Sequence, residues 1–196
     1  MTEQLSSLIA ELSSPDRLVR HNASLALHKL GNAARPAIPA LKRLLADSSE
    51  PYLQIFAAGA IRNIAPEDPA AIPVLVAALD DPIAIHRMAA CEFLGQRQHS
   101  AALDTMKLFN DPDFVVRFAA AEAYSKFTGN WMHAVAMAVE MLKDANPTNR
   151  AMAAEGLLSL RRQARDHLDL LQMALVDAPW EVRLDIEEVL DQLRRP

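Results

Sequence analysis

The sequence predicts an all-α fold, a right-handed α-α superhelix of six two-helix repeats. Three observations carry that prediction. A short motif returns every thirty-odd residues, with an acidic or small residue first and an aliphatic residue, usually followed by Arg, five positions later. Its copies are Ser14…Val19-Arg20, Ser48…Leu53-Gln54, Asp80…Ile85-His86, Asp111…Val116-Arg117, Asp144…Asn149-Arg150 and Asp177…Val182-Arg183, at steps of 34, 32, 31, 33 and 33 residues. Self-similarity at this period marks an array in which each unit buries its apolar face on the next. The composition agrees: 51% hydrophobic residues, few aromatics and only 5 Gly in 196 residues suit helices rich in Ala and Leu. Finally, the copies run almost end to end, so the chain reads as one array with units at about 1–33, 34–67, 68–98, 99–130, 131–163 and 164–196.

Each unit reads as two helices and a tight turn. The first helices are expected at residues 4–13, 36–46, 70–79, 100–110, 132–143 and 166–176. Ile38-Pro39 and Ile72-Pro73 open two of them, because a first-turn proline gives up an N–H that has no helical partner. The turns Ser14-Pro15-Asp16, Asp80-Asp81-Pro82, Asp111-Pro112-Asp113 and Asn146-Pro147-Thr148 offer side-chain oxygens to the free N–H groups that start the second helices. Along those helices the apolar positions fall on one face, as in Val19, Ala23, Ala26, Leu27 and Leu30. The third unit departs, with Glu92 where Ala or Val is expected. Either that helix is slightly rotated or Glu92 reaches out of the seam.

The units resemble HEAT repeats, in particular the short bacterial type of phycobilisome-lyase-like proteins. The resemblance rests on Asp80-Asp81-Pro82…Ile85-His86-Arg87-Met88-Ala89-Ala90, on Asp111 through Ala123, and on Asn149-Arg150-Ala151-Met152-Ala153-Ala154-Glu155-Gly156-Leu157. It implies an Asp–Arg ladder along the stack, carried onto Asp80, Asp111, Asp144 and Asp177 with Arg20, Arg117, Arg150 and Arg183. It also implies that the second helices line a concave surface. Residues expected to project there are Ile55, Arg62, Arg87, Leu94, Phe118, Lys126, Leu158 and Leu184, with Glu122, Glu155 and Glu188 on successive units. Apolar side chains among charges suit a protein-binding patch, and the glutamates make the C-terminal part of the groove acidic.

The expected function is therefore a non-catalytic scaffold or adaptor that binds a protein or peptide on its concave face, with no cofactor. Two alternatives follow from the resemblance: an accessory subunit of a bilin lyase-like enzyme, or a nucleic-acid-binding HEAT-like protein. A net charge of −5 opposes nucleic acid. The six histidines lack the spacing of a metal site, no phosphate loop or nucleophile motif occurs, and Cys91 reads as a buried thiol. Trp131 and Trp180 read as packing residues. The sequence shows no signal peptide and no apolar run long enough for a bilayer, and a single cysteine suits a cytoplasmic protein. Polar outer faces on the terminal helices predict caps and a stand-alone chain.

Overall fold

The computed structural model describes residues 2–46, 49–160, 162–176 and 178–195. It is a helical solenoid, and no strand occurs among the described residues. Helices α1 (Thr2–Glu11) and α2 (Arg17–Leu30) form the first pair, α3 (Ile38–Ala46) and α4 (Pro51–Ile64) the second, and α5 (Ala71–Ala78) and α6 (Ala84–Leu94) the third. In the fourth, a 3-10 segment (Ser100–Leu108) takes the place of the first α-helix and leads to α7 (Phe114–Thr128). The last two are α8 (Met132–Met141) with α9 (Pro147–Leu160), and α11 (Leu168–Leu175) with α12 (Trp180–Arg194). The short α10 (Arg162–Arg165) connects them.

The helix starts follow the turn chemistry. Asp16 accepts from the Leu18 N–H at 2.8 Å, Asp81 from Ile83 at 2.8 Å, Asp113 from Val115 at 2.8 Å and Asn146 from Thr148 at 2.9 Å. Each satisfies a donor that the helix itself leaves open. At the far end of α7, Gly129 takes φ 75°, a left-handed cap that few other residues tolerate, and donates its N–H to Ser125 O.

The second helices form the inner row. From α2 through α7 each packs directly on its neighbour, whereas the first helices of that part scarcely touch one another; α9 packs on α12, and α8 on α11. Missing side chains allow the close approach. A Cβ on Gly59 of α4 would lie 2.5 Å from the Phe93 ring of α6, and one on Gly95 would lie 2.8 Å from Ala123 Cα of α7. The apolar interior is in two parts. One cluster runs from Leu12 to Ala123 and the other from Ala121 to Leu193. They meet at α7, which packs on α8 and approaches α9 chiefly through Phe118.

Candidate functional site

One structural column recurs along the inner helices from α2 to α9. Arg20, Arg87, Arg117 and Arg150 each donate from Nη1 to the carbonyls five and six residues earlier, closing the turn that precedes their own helix. Gln54 substitutes at α4, donating to Leu45 O at 3.0 Å. The third member is Arg87, not His86, which corrects the sequence register by one residue. The Asp80-Asp81 doublet offers two starting points, and Asp81 is the true one. Accordingly His86 is 6% exposed and Ile85 47%. The correction also explains Glu92. Counted from Arg87, it stands five residues on, where Glu122, Glu155 and Glu188 stand from Arg117, Arg150 and Arg183.

The ladder expected between acidic turns and arginines takes a different form. Arg87 grips Asp111 through both nitrogens, at 2.7 and 2.8 Å, with the two side chains 12% and 4% exposed. That contact holds the Asp111 carboxyl below the usual carboxylate range. Arg20 pairs with Glu50, and Arg150 with Asp185 at 2.6 Å. Asp80 meets Lys107 instead, and Asp144 accepts from the Asn146 N–H within its own turn. Arg117 lies over the Phe114 ring, Arg183 is exposed, and Asp177 and Ser48 fall outside the described residues. Sequence register alone could not supply these partners, because three different positions of the neighbouring turn or helix furnish the acid.

Three residues expected on the open inner face are buried. Ile55 is 2% exposed, turned towards Pro73, Val74, Ala77 and Ala78 of α5, and Leu94 is 0% exposed. Arg62, 2% exposed, donates to the carbonyls of Phe93, at 2.9 Å, and of Leu94 and Gln96, so it finishes the end of α6 rather than facing a partner. Arg87 belongs to the buried pair already described. Phe118 is half-buried, its ring seated on Gly156.

The remaining candidates do come together. Glu92, Glu122, Glu155 and Glu188 follow one another along the inner row, with Lys126 2.8 Å from Glu122. Glu92 opens to solvent but has protein around much of its surface. That partial burial, with Glu122 on the next helix, raises its carboxyl above the usual range. Glu155, Leu158 and Glu188 line a groove of about 300 Å³ between α9 and α12, with Arg150 and Asp185 at its edge and Ala151, Ala154 and Val189 as apolar floor. Leu184, 56% exposed, lies towards the end of the stack.

The sequence reading missed an aromatic wall in the N-terminal part of the inner row. His21, Tyr52 and Phe56 contact one another with ring centroids 4.4–5.1 Å apart, Phe93 extends the set from Phe56 at 5.4 Å, and Arg17 lies over Tyr52. Burial, with Arg17 nearby, lowers the His21 pKa and favours a neutral ring. A second cavity, about 530 Å³, opens at the turn edge between α7 and α8 and is lined by Phe109, Phe114, Arg117, His133, Met137 and Asp144 among others. Cys91 is fully buried, and its thiol is pushed up to about 12. Among the described residues no three His, Cys, Asp or Glu side chains converge as a metal site requires, and no helix is long and apolar enough to cross a membrane.

No curated protein matches the sequence. Among solved structures, an engineered protein from the Northeast Structural Genomics Consortium is 20% identical, covers 97% of this chain and 96% of its own, and has a TM-score of 0.51. The complex of CpcE and CpcF of phycocyanin lyase from Nostoc sp. PCC7120 is 20% identical over 96% of this chain and 94% of that one, at TM-score 0.50. A designed armadillo repeat protein in complex with the peptide (KR)4 is 18% identical over 97% and 99%, at TM-score 0.51. These likenesses concern the fold. Residues 38–125 match the profile of the HEAT repeats family. Helix pairs of the same kind continue on both sides of that stretch, so the chain is a helical solenoid of which the central part is similar to HEAT repeats.

Proposed function

We propose that this chain is a non-catalytic scaffold whose inner groove holds an extended protein segment bearing basic side chains. The observation that carries the reading is the column of Glu92, Glu122, Glu155 and Glu188, one on each inner helix from α6 to α12, beside the apolar-floored groove of α9 and α12. A strand of peptide laid across the inner row from α6 to α12 meets a carboxylate at each of those four helices. Such complementarity selects and orients a partner more than it adds raw affinity. The apolar floor and the aromatic wall around Tyr52 supply contact area. A designed repeat protein of similar fold holds (KR)4, which lends support to a basic peptide as the occupant. Part of this reading is a cytoplasmic location, where a lone unpaired cysteine is at home.

Calorimetric titration of a (KR)4 peptide tests it. Wild type is expected to bind, with affinity that falls as salt rises. The double variant Glu155→Gln, Glu188→Gln is expected to weaken binding about tenfold, equivalent to about 1.4 kcal/mol. Equal affinity in wild type and variant, or no binding to wild type, would defeat the reading. Binding of a free bilin by the wild type in place of the peptide would favour a lyase-like accessory role.

A further inference from the structure

Of the four arginines that lock a turn, Arg117 alone meets no acid among the described residues. Each spends Nη1 on the carbonyls before its helix. Arg87 then grips Asp111 through Nε and Nη2, Arg20 turns Nη2 to Glu50, and Arg150 turns Nε to Asp185. Arg117 donates from Nη1 to Asp111 O at 2.7 Å and Pro112 O at 3.2 Å. The edge formed by its Nε and Nη2, which takes a carboxylate on Arg87, is left over.

The acid in the place of Asp111 is Asp144, since each stands six residues before the arginine of its own copy. Yet Arg117 and Asp144 do not close. Phe114, which holds the place of Ala84 in α6, sets its ring 5.1 Å from the Arg117 guanidinium. Its counterpart in α12, Trp180, is 70% exposed rather than packed as the sequence suggested. Asp144 turns into its own loop and accepts from the Asn146 N–H at 2.7 Å. That bond and one from the Asn149 side chain, with Arg117 and Arg150 nearby, hold its carboxyl below the usual range, so it is ionised at neutral pH. Arg117 and Asp144 both line the cavity of about 530 Å³ between α7 and α8, within the ~300–1,000 Å³ of small-molecule sites. Phe109, Phe114, Met137 and Met141 form its apolar wall.

The charges select the occupant. A simple carboxylate on Arg117 is repelled by Asp144 and by Glu140, which also lines the cavity. A simple cation beside Asp144 is repelled by Arg117. A zwitterion with an apolar body satisfies both ends, and an α-amino acid carries its two charges on one carbon. We propose that this cavity binds an α-amino acid with a large apolar side chain. The carboxylate lies on Nε and Nη2 of Arg117, as Asp111 lies on Arg87. The ammonium faces Asp144, and the side chain packs among Phe109, Met137 and Met141. The site is on the turn edge, not in the inner groove, so it does not rest on the peptide-binding reading.

Calorimetric titration of L-phenylalanine into the full chain tests the proposal. Wild type is expected to bind with a Kd between about 10 µM and 1 mM. Hydrocinnamate, without the ammonium, and phenethylamine, without the carboxylate, are each expected to bind at least about tenfold more weakly. Arg117→Gln is expected to weaken phenylalanine by at least about tenfold. Its fold is expected to survive, because Gln54 closes its own turn from the same place in α4. Asp144→Asn keeps an acceptor for the Asn146 N–H and is expected to show a similar loss. The inner-groove variant Glu155→Gln, Glu188→Gln is expected to bind phenylalanine as wild type does. A second readout needs no substitution. In a chain labelled at its methionine methyls, Met137 and Met141 are expected to shift when phenylalanine is added, and Met173, 70% exposed in α11, to stay in place. No binding to wild type up to about 10 mM, one-charge analogues that bind as tightly as phenylalanine, undiminished affinity in Arg117→Gln, or unmoved Met137 and Met141 methyls would each overturn it.

Discussion

The N-terminal and C-terminal halves are built from the same helix pair but closed differently. From α2 to α7 the inner helices touch along their length, with Gly59 under Phe93 and Gly95 against Ala123. Between α7 and α9 the approach loosens: a bulky Phe118 stands between the two helices, and a cavity of about 530 Å³ opens between α7 and α8, before α9 and α12 pack closely again. The same side-chain types consequently do different work. Arg62 and Arg165 both donate to carbonyls at the end of a following helix, Arg62 to Phe93 O at 2.9 Å and Arg165 to Leu193 O at 2.5 Å. Arg62 does so in the interior, whereas Arg165 is exposed. The motif sets which contacts exist; the distance between helices sets how much each is worth.

Paired substitutions sharpen or break that comparison. Arg62→Ala strands three carbonyls and leaves a void, and is expected to cost about 3 kcal/mol. Arg165→Ala, where water can replace the guanidinium, is expected to cost under about 1 kcal/mol. Chemical denaturation of both variants measures the difference, and equal losses would show that the two halves are closed alike.

The ion pairs come next. Asp111→Ala leaves Arg87 without its partner in a largely dry site, and is expected to cost about 2–3 kcal/mol. Asp185→Ala, whose side chain is 40% exposed, is expected to cost under about 1 kcal/mol. The Asp111 pair also carries a pH signature. Its carboxyl is depressed in the folded state, so its contribution is fully present above the ordinary carboxylate range near pH 4 and is lost as pH falls through the lower folded value. Acid unfolding of wild type beside Asp111→Asn checks the sign, since the variant loses this part of the slope.

The smallest effects concern the glycines. Replacing a helical glycine by alanine gains about 0.5–1 kcal/mol from propensity. At Gly59 the new Cβ meets three atoms of the Phe93 ring at 2.5–2.6 Å, and Phe93 is 6% exposed. The clash there is expected to win by about 1 kcal/mol. At Gly156 the contact is with the tip of the Phe118 ring at 2.9 Å, beside open space, and the two effects are expected to cancel within about 0.5 kcal/mol. Thermal melts of the two alanine variants read the contrast directly.

The solenoid was legible in the sequence because the turn-and-arginine motif is local. At Arg20, Arg87, Arg117 and Arg150 its hydrogen bonds close within seven residues. The glutamate column was three-quarters legible; Glu92 fell at a core position by the spacing and its placement stayed open, because Asp80 and Asp81 offered competing starts that the burial of His86 and the hydrogen bonds of Arg87 separate. What lay beyond reach was spacing between helices. Nothing in the periodicity of α4 or α6 alone says that Ile55 and Leu94 will be covered, since that depends on how the neighbouring helices, α5 for Ile55, lie against them. Nor does the charge of Arg62 reveal that its nearest polar groups are carbonyls inside the stack. The aromatic wall was missed for a related reason: His21, Tyr52 and Phe56 meet only once α2 and α4 are side by side.

The arginine that locks each turn sits on the helix which that turn introduces. Arg20, Arg87, Arg117 and Arg150 all bond backward to carbonyls of their own copy. A duplicated or deleted copy therefore takes its lock with it, and the junction need only re-form one ion pair and one apolar seam. Length in such an array is a heritable variable that can change by whole turns of the sequence without the remaining copies having to be rewritten.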